Sequence, residues 1–176
     1  MIKRITIKRV DKISIRFGKL QVIKALVLIL IPVILKLKTG IWLSSISSYY
    51  YSSAHDNFVL LLTLAGLLYA NDGILRNKWW NISIGASLIG VAYFPHLEYA
   101  VLHYLLAAYF FVGTCITMVV FSSKQQRKYK IIVAAIIITV MAAHFFTGIV
   151  SLLTAEWLCM FPMALHFIGE STGKID

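Results

Sequence analysis

Two stretches decide how this chain folds: Tyr99 to Phe121, YAVLHYLLAAYFFVGTCITMVVF, and Ile131 to Leu153, IIVAAIIITVMAAHFFTGIVSLL, separated by the basic loop SSKQQRKYK at 122–130. A bilayer core about 30 Å thick asks for roughly 20 apolar residues of helix at a rise of ~1.5 Å each. Each stretch holds 23 residues without one Asp, Glu, Lys or Arg. Both therefore read as membrane-spanning helices.

The rest of the chain is of the same kind. Of 176 residues, 60% are hydrophobic and 14% charged, with a mean hydropathy of +0.82, against roughly 45–50% apolar and ~25% charged in soluble domains. That balance excludes a soluble globular enzyme, and the apolar content excludes a disordered chain. Outward from the central pair, four more spans are expected. Segment 20–37 carries Lys24, expected to snorkel back to its starting side, and Pro32, expected to kink it. Segment 57–69 is short. Segment 80–94 has the small pairs Ser83/Ser87 and Ala86/Gly90, which should let a neighbouring helix approach. Segment 157–169 also fits a re-entrant piece. The expected fold is all-α, a polytopic transmembrane bundle of about six helices. It comprises a basic arm at 1–19, a helical domain at 20–170 and a short tail at 171–176. The arm does not read as a signal peptide, since no small-residue cleavage site follows the apolar run. Its apolar positions fit a helical and a two-residue period equally.

Charge sets the orientation. The chain has 17 Lys and Arg against 7 Asp and Glu, a net +10, which on composition alone would fit a nucleic-acid binder. The distribution points to a membrane instead of nucleic acid: seven of the basic residues lie at 3–19 and four at 124–130. With six spans, fourteen fall on the side of the N-terminus, and only Lys36 and Lys38 on the other. Both termini are then expected in the cytoplasm. Helix starts point the same way, because the positive end of the helix dipole favours acids. Asp56 follows Ser53 in a capping-box-like pair, Pro95 precedes Glu98, and Thr154 reads as a cap ahead of Glu156.

Ionisable groups inside spans are functional candidates by default. His103 and His144 fall in the outer half and His166 nearer the middle. The candidate polar pocket comprises Ser45, Ser47, Tyr50, Asp56, His96, His103 and His144, beside the hydroxyl-rich loop SSISSYYYSS at 44–53. Three imidazoles and a carboxylate would suit zinc, but first-turn acids and packed histidines need no metal, and no metal or cofactor is expected. Asp72 is a candidate inner acid with Arg76, four residues on, as its simple partner. Lys3, Arg4, Lys8 and Arg9 are expected to touch anionic headgroups at the cytoplasmic face. Trp42, Trp79, Trp80 and Trp157 read as interfacial belt residues, and Cys115 and Cys159 as small buried side chains.

The segment SISSYYY at 45–51, with Asp56-Asn57-Phe58-Val59, Asn81 to Gly85, Gly90-Val91-Ala92 and Phe94-Pro95, resembles a family of small uncharacterised bacterial multi-pass proteins. Those proteins share a SISxYYY motif, an aspartate before an FVG-like helix and a GVA-x-FP turn. The resemblance covers 45–95, with Leu60 standing where the glycine would. It implies a bacterial inner-membrane location and assigns no reaction.

The function expected is that of a non-enzymatic binding, assembly or permeation component with an outward-facing polar pocket. Its partners would be the lipid bilayer and a second copy or another membrane protein. The alternatives are an intramembrane metal-dependent lipid hydrolase or transferase using the outer His/Asp/Ser cluster, and a small transporter subunit with a midplane site around His144 and His166.

Overall fold

The structure, a computed structural model, describes residues 2–121 and 123–172, with side chains from Lys19 onward. Six α-helices follow one another: α1 (Ile2–Thr39), α2 (His55–Arg76), α3 (Trp79–Tyr93), α4 (Ala100–Val120), α5 (Arg127–Thr147) and α6 (Leu152–Ser171). A short 3-10 helix, Ser47–Tyr51, sits in the loop before α2. Five segments are long and apolar enough to cross a membrane: Lys19–Thr39, His55–Arg76, Ala100–Val120, Arg127–Thr147 and Leu152–Ser171. The sixth helix, α3, has only 15 residues. The arm joins α1 without a break, so helix prevails where periodicity was neutral. The side chains of Lys3, Arg4, Lys8 and Arg9 lie outside the described residues.

Helix ends differ from the hydropathy reading where polar residues lie inside a helix. The second helix runs on through Asn71 and Asp72 to Arg76 and stops at Asn77, whose left-handed φ of 54° ends it in the way Asn tolerates. The fifth stops at Gly148, φ 65°, five residues before the expected end. The sixth then starts at Leu152, not Trp157, capped by Ser151, whose Oγ accepts the Thr154 N–H, so Thr154 is not the cap. Nor does Ser53 cap α2, where Ala54 holds that position. Only Asp56 remains a first-turn acid; Glu98 precedes α4, and Glu156 lies beyond the first turn of α6.

Packing is closest between α2 and α3, then between α1 and α6. The α2–α3 crossing depends on glycine: a Cβ on Gly66 would lie 2.6 Å from the Gly85 carbonyl oxygen. Gly85, rather than the Ser83/Ser87 pair, is thus the point of close approach, while Gly90 faces Leu106 of α4. By contrast α5 packs loosely, with only Lys130 and Ile137 buried among its residues. Space remains between α4 and α5. The 3-10 loop, the α3–α4 turn and the α5–α6 turn share one end of the bundle, the Ser-rich end. The α2–α3 turn and α4–α5 loop share the other, the basic end.

Candidate functional site

At the Ser-rich end the loop is bonded to itself and to α6. Ser45 Oγ lies 2.7 Å from Ser48 Oγ and 3.1 Å from Ser47 Oγ. Tyr49 donates its hydroxyl to the Ile41 carbonyl at 3.0 Å. The Leu153 N–H donates to the Ser44 carbonyl at 2.9 Å, and the Ile46 N–H to Glu156 Oε2 at 2.7 Å. Glu156 therefore ties the loop to α6, instead of serving a helix start.

Three histidines hold turns at this end. Nδ1 of His55 meets the Tyr50 carbonyl at 2.7 Å, that of His103 the Phe94 carbonyl at 2.7 Å, and that of His144 the Val150 carbonyl at 2.8 Å. A carbonyl can only accept, so each Nδ1 carries the proton, and Nε2 of a neutral ring is left as an acceptor. His144 thus closes the α5–α6 turn.

Between α4 and α5, over α6, lies a cavity of about 390 Å3, within the size range of small-molecule sites. Its walls are apolar, chiefly Ala107, Ala108, Phe111, Ile138, Met141 and Phe145. Four side chains with polar groups also line it: Ser47, His103, Tyr104 and Glu156. A smaller cavity of about 40 Å3, lined in part by Ser47, His103 and Glu156, adjoins it.

Of the expected pocket residues, Ser47 and His103 line this cavity, and Ser45 reaches it through Ser47. His144 is turned to Val150, Tyr50 packs on His55 with ring centroids 4.3 Å apart, and Asp56 is exposed. His96 lies against Tyr51 and His103, at 5.3 and 5.6 Å between ring centres. Tyr51 donates to Glu98; lost solvation first, then this carboxylate, raises its phenol pKa above 10.0. Among the described residues no group of three His, Cys, Asp or Glu could hold a metal ion, and no hydrogen bond joins Ser45 or Ser47 to a histidine. His144 and His166 lie at opposite ends, so they form no common midplane site.

The basic end holds a second polar centre. Asp72, 4% exposed, accepts from Gln21 Nε2 at 2.8 Å and Asn81 Nδ2 at 2.6 Å. It lies 3.6 Å from both Lys24 Nζ and Arg76. Arg76 also pairs with Glu170 at 3.2 Å, and His166 lies 3.8 Å from Glu170. Lys24 does not snorkel: it is 1% exposed, with its ammonium 3.7 Å from the Phe167 ring centre and 4.6 Å from that of Tyr69, a cation–π arrangement. Asp72 thus has three partners besides Arg76, namely Gln21, Lys24 and Asn81. The sequence signals were Gln21 and Lys24 three apart on one helix face, and Glu170 four after His166.

An all-α bundle with five helices long and apolar enough to cross a membrane, an apolar cavity and a buried ionic centre is compatible with an integral membrane protein. The chain belongs to a family of unknown function, DUF7103, whose profile matches residues 30–171. No curated protein and no solved structure matches it.

Proposed function

We propose that this is an integral protein of a bacterial inner membrane, with both termini cytoplasmic, that binds one membrane amphiphile without chemically changing it. The observation that carries the reading is the 390 Å3 cavity, largely apolar along α4 and α5, with polar groups at Ser47, His103, Tyr104 and Glu156. An alkyl or acyl chain would lie along the apolar wall, held there by van der Waals packing, since a chain taken from lipid gains no hydrophobic term. Its head would meet the Glu156 carboxyl and the unprotonated Nε2 of His103 as acceptors, with the Ser47 and Tyr104 hydroxyls able to accept as well as donate. The best-fitting head is therefore a hydrogen-bond donor, a hydroxyl or an amine. Orientation is supported by the excess of Lys and Arg at the basic end, and it puts the cavity in the outer leaflet.

Filling the cavity tests this. Native mass spectrometry of the full chain released from membranes should find one amphiphile per chain, lost in Ala108→Trp and Ala142→Trp with helicity unchanged. Equal retention by the filled variants would defeat the reading.

A further inference from the structure

The basic end has a cleft of its own, bounded by α2, α3, α4, the first turn of α5 and α6, and lined by Tyr69, Lys78, Asn81, Lys130, His166 and Glu170. It encloses about 30 Å3 and opens outward at a mouth. The enclosed part fits one or two water-sized atoms, the mouth something larger. Charge on its walls and behind them is unbalanced. Among the described residues, Lys24, Arg76 and Lys78 face two carboxylates, Asp72 and Glu170. One buried donor on the wall is poorly satisfied: the Tyr69 hydroxyl, in a residue 1% exposed, makes no hydrogen bond of good geometry and has only the Thr114 hydroxyl beside it. A buried hydroxyl without a well-placed partner is costly unless something else satisfies it.

We infer that this cleft is a binding site for a phosphate-type anion, with Lys78 at the mouth, Lys130 and Asn81 on the walls and the Tyr69 hydroxyl as the innermost donor. The dimensions admit phosphate oxygens and leave any attached group outside. The same chemistry is offered by the headgroup of an anionic phospholipid in the adjacent leaflet and by free phosphate. Glu170 disfavours a fully charged dianion and is itself held by Arg76, so a singly charged diester suits the wall best. The site is at the opposite end from the amphiphile cavity, and neither test bears on the other.

The full chain in detergent, exchanged against phosphatidylglycerol or phosphatidylcholine, separates the sources. Retention of phosphatidylglycerol should exceed that of phosphatidylcholine and fall about fivefold in Lys78→Gln, as for loss of one lysine near a lipid surface. Tyr69→Phe should lower it too, whereas Lys128→Gln, exposed on the first turn of α5 at the same end, should leave it unchanged. If the two lipids are retained alike but inorganic phosphate raises the melting temperature in wild type and not in Lys78→Gln, the anion comes from solution and the site stands. If neither lipid nor phosphate discriminates, or Lys128→Gln loses as much as Lys78→Gln, there is only a diffuse basic surface and the inference is overturned.

Discussion

Lys24 on α1 and Asp72 on α2 lie 3.6 Å apart with almost no exposure to solvent, joining two helices through a pair of buried charges. Removing one partner leaves the other uncompensated, which typically costs about 3–5 kcal/mol, whereas replacing both by apolar groups is often near neutral. Lys24→Met and Asp72→Leu should each lower unfolding stability by about 3 kcal/mol in detergent. The double variant should recover much of the loss. Additive losses in a denaturant series would show that the pair is not coupled.

Close approach of α2 and α3 gives a second expectation. Gly66→Ala would push a Cβ to within 2.6 Å of backbone oxygen, and such overpacking costs about 1–3 kcal/mol. Gly113→Ala meets only ordinary contacts from 3.5 Å outward. It should be neutral or stabilising by up to about 1 kcal/mol, the helix-propensity gain. Thermal melts of the two variants give the comparison.

These two cases mark what could be read from the sequence. Apolar runs located all six helices, because burial in lipid or protein writes itself into hydropathy. The ends of α2 and α5 were obscured because Asp72 is polar inside a helix and Gly148 sits amid apolar neighbours. Ser47 and His103 were legible as candidates at one end, since a histidine in an apolar run stands out. The partnership of Lys24 with Asp72, and of Glu156 with the Ile46 N–H, is tertiary. No local pattern encodes contacts 48 and 110 residues apart.

His144 and His103 should separate by function. His144→Leu removes one turn bond and should cost about 1 kcal/mol without changing amphiphile retention. His103→Leu removes a bond to the Phe94 carbonyl and a cavity acceptor together, so stability and retention should both fall. If His144→Leu also loses the amphiphile, the assignment of His103 as the head contact is wrong.

Tyr51 offers a pH signature. With its folded pKa raised above 10.0 by lost solvation and by Glu98, the neutral phenol is the favoured form. Its contribution is fully present below the unfolded value near 10 and is lost as pH rises through the folded one. The difference in phenolate absorbance between wild type and Tyr51→Phe should titrate above pH 10. A midpoint at or below 10 would mean that the Tyr51–Glu98 bond does not persist in solution.

Topology can be read with reporters fused after residue 176 and within loop 40–54. Cytoplasmic activity at the first and periplasmic activity at the second is the outcome expected from the proposed topology, in which the 15-residue α3 crosses along with the five longer helices. Periplasmic activity at the C-terminus would require five crossings and would move the cavity's leaflet.

The central claim is that an amphiphile lies between α4 and α5, and photolabelling tests it most directly. A long-chain alcohol carrying a diazirine near its end, irradiated with the full chain in nanodiscs and mapped by peptide mass spectrometry, should label 104–112 and 137–145. That labelling should be competed by unlabelled alcohol and lost in Ala108→Trp. Adducts spread evenly over the lipid-facing surfaces of all six helices, uncompeted and indifferent to the tryptophan, would contradict it.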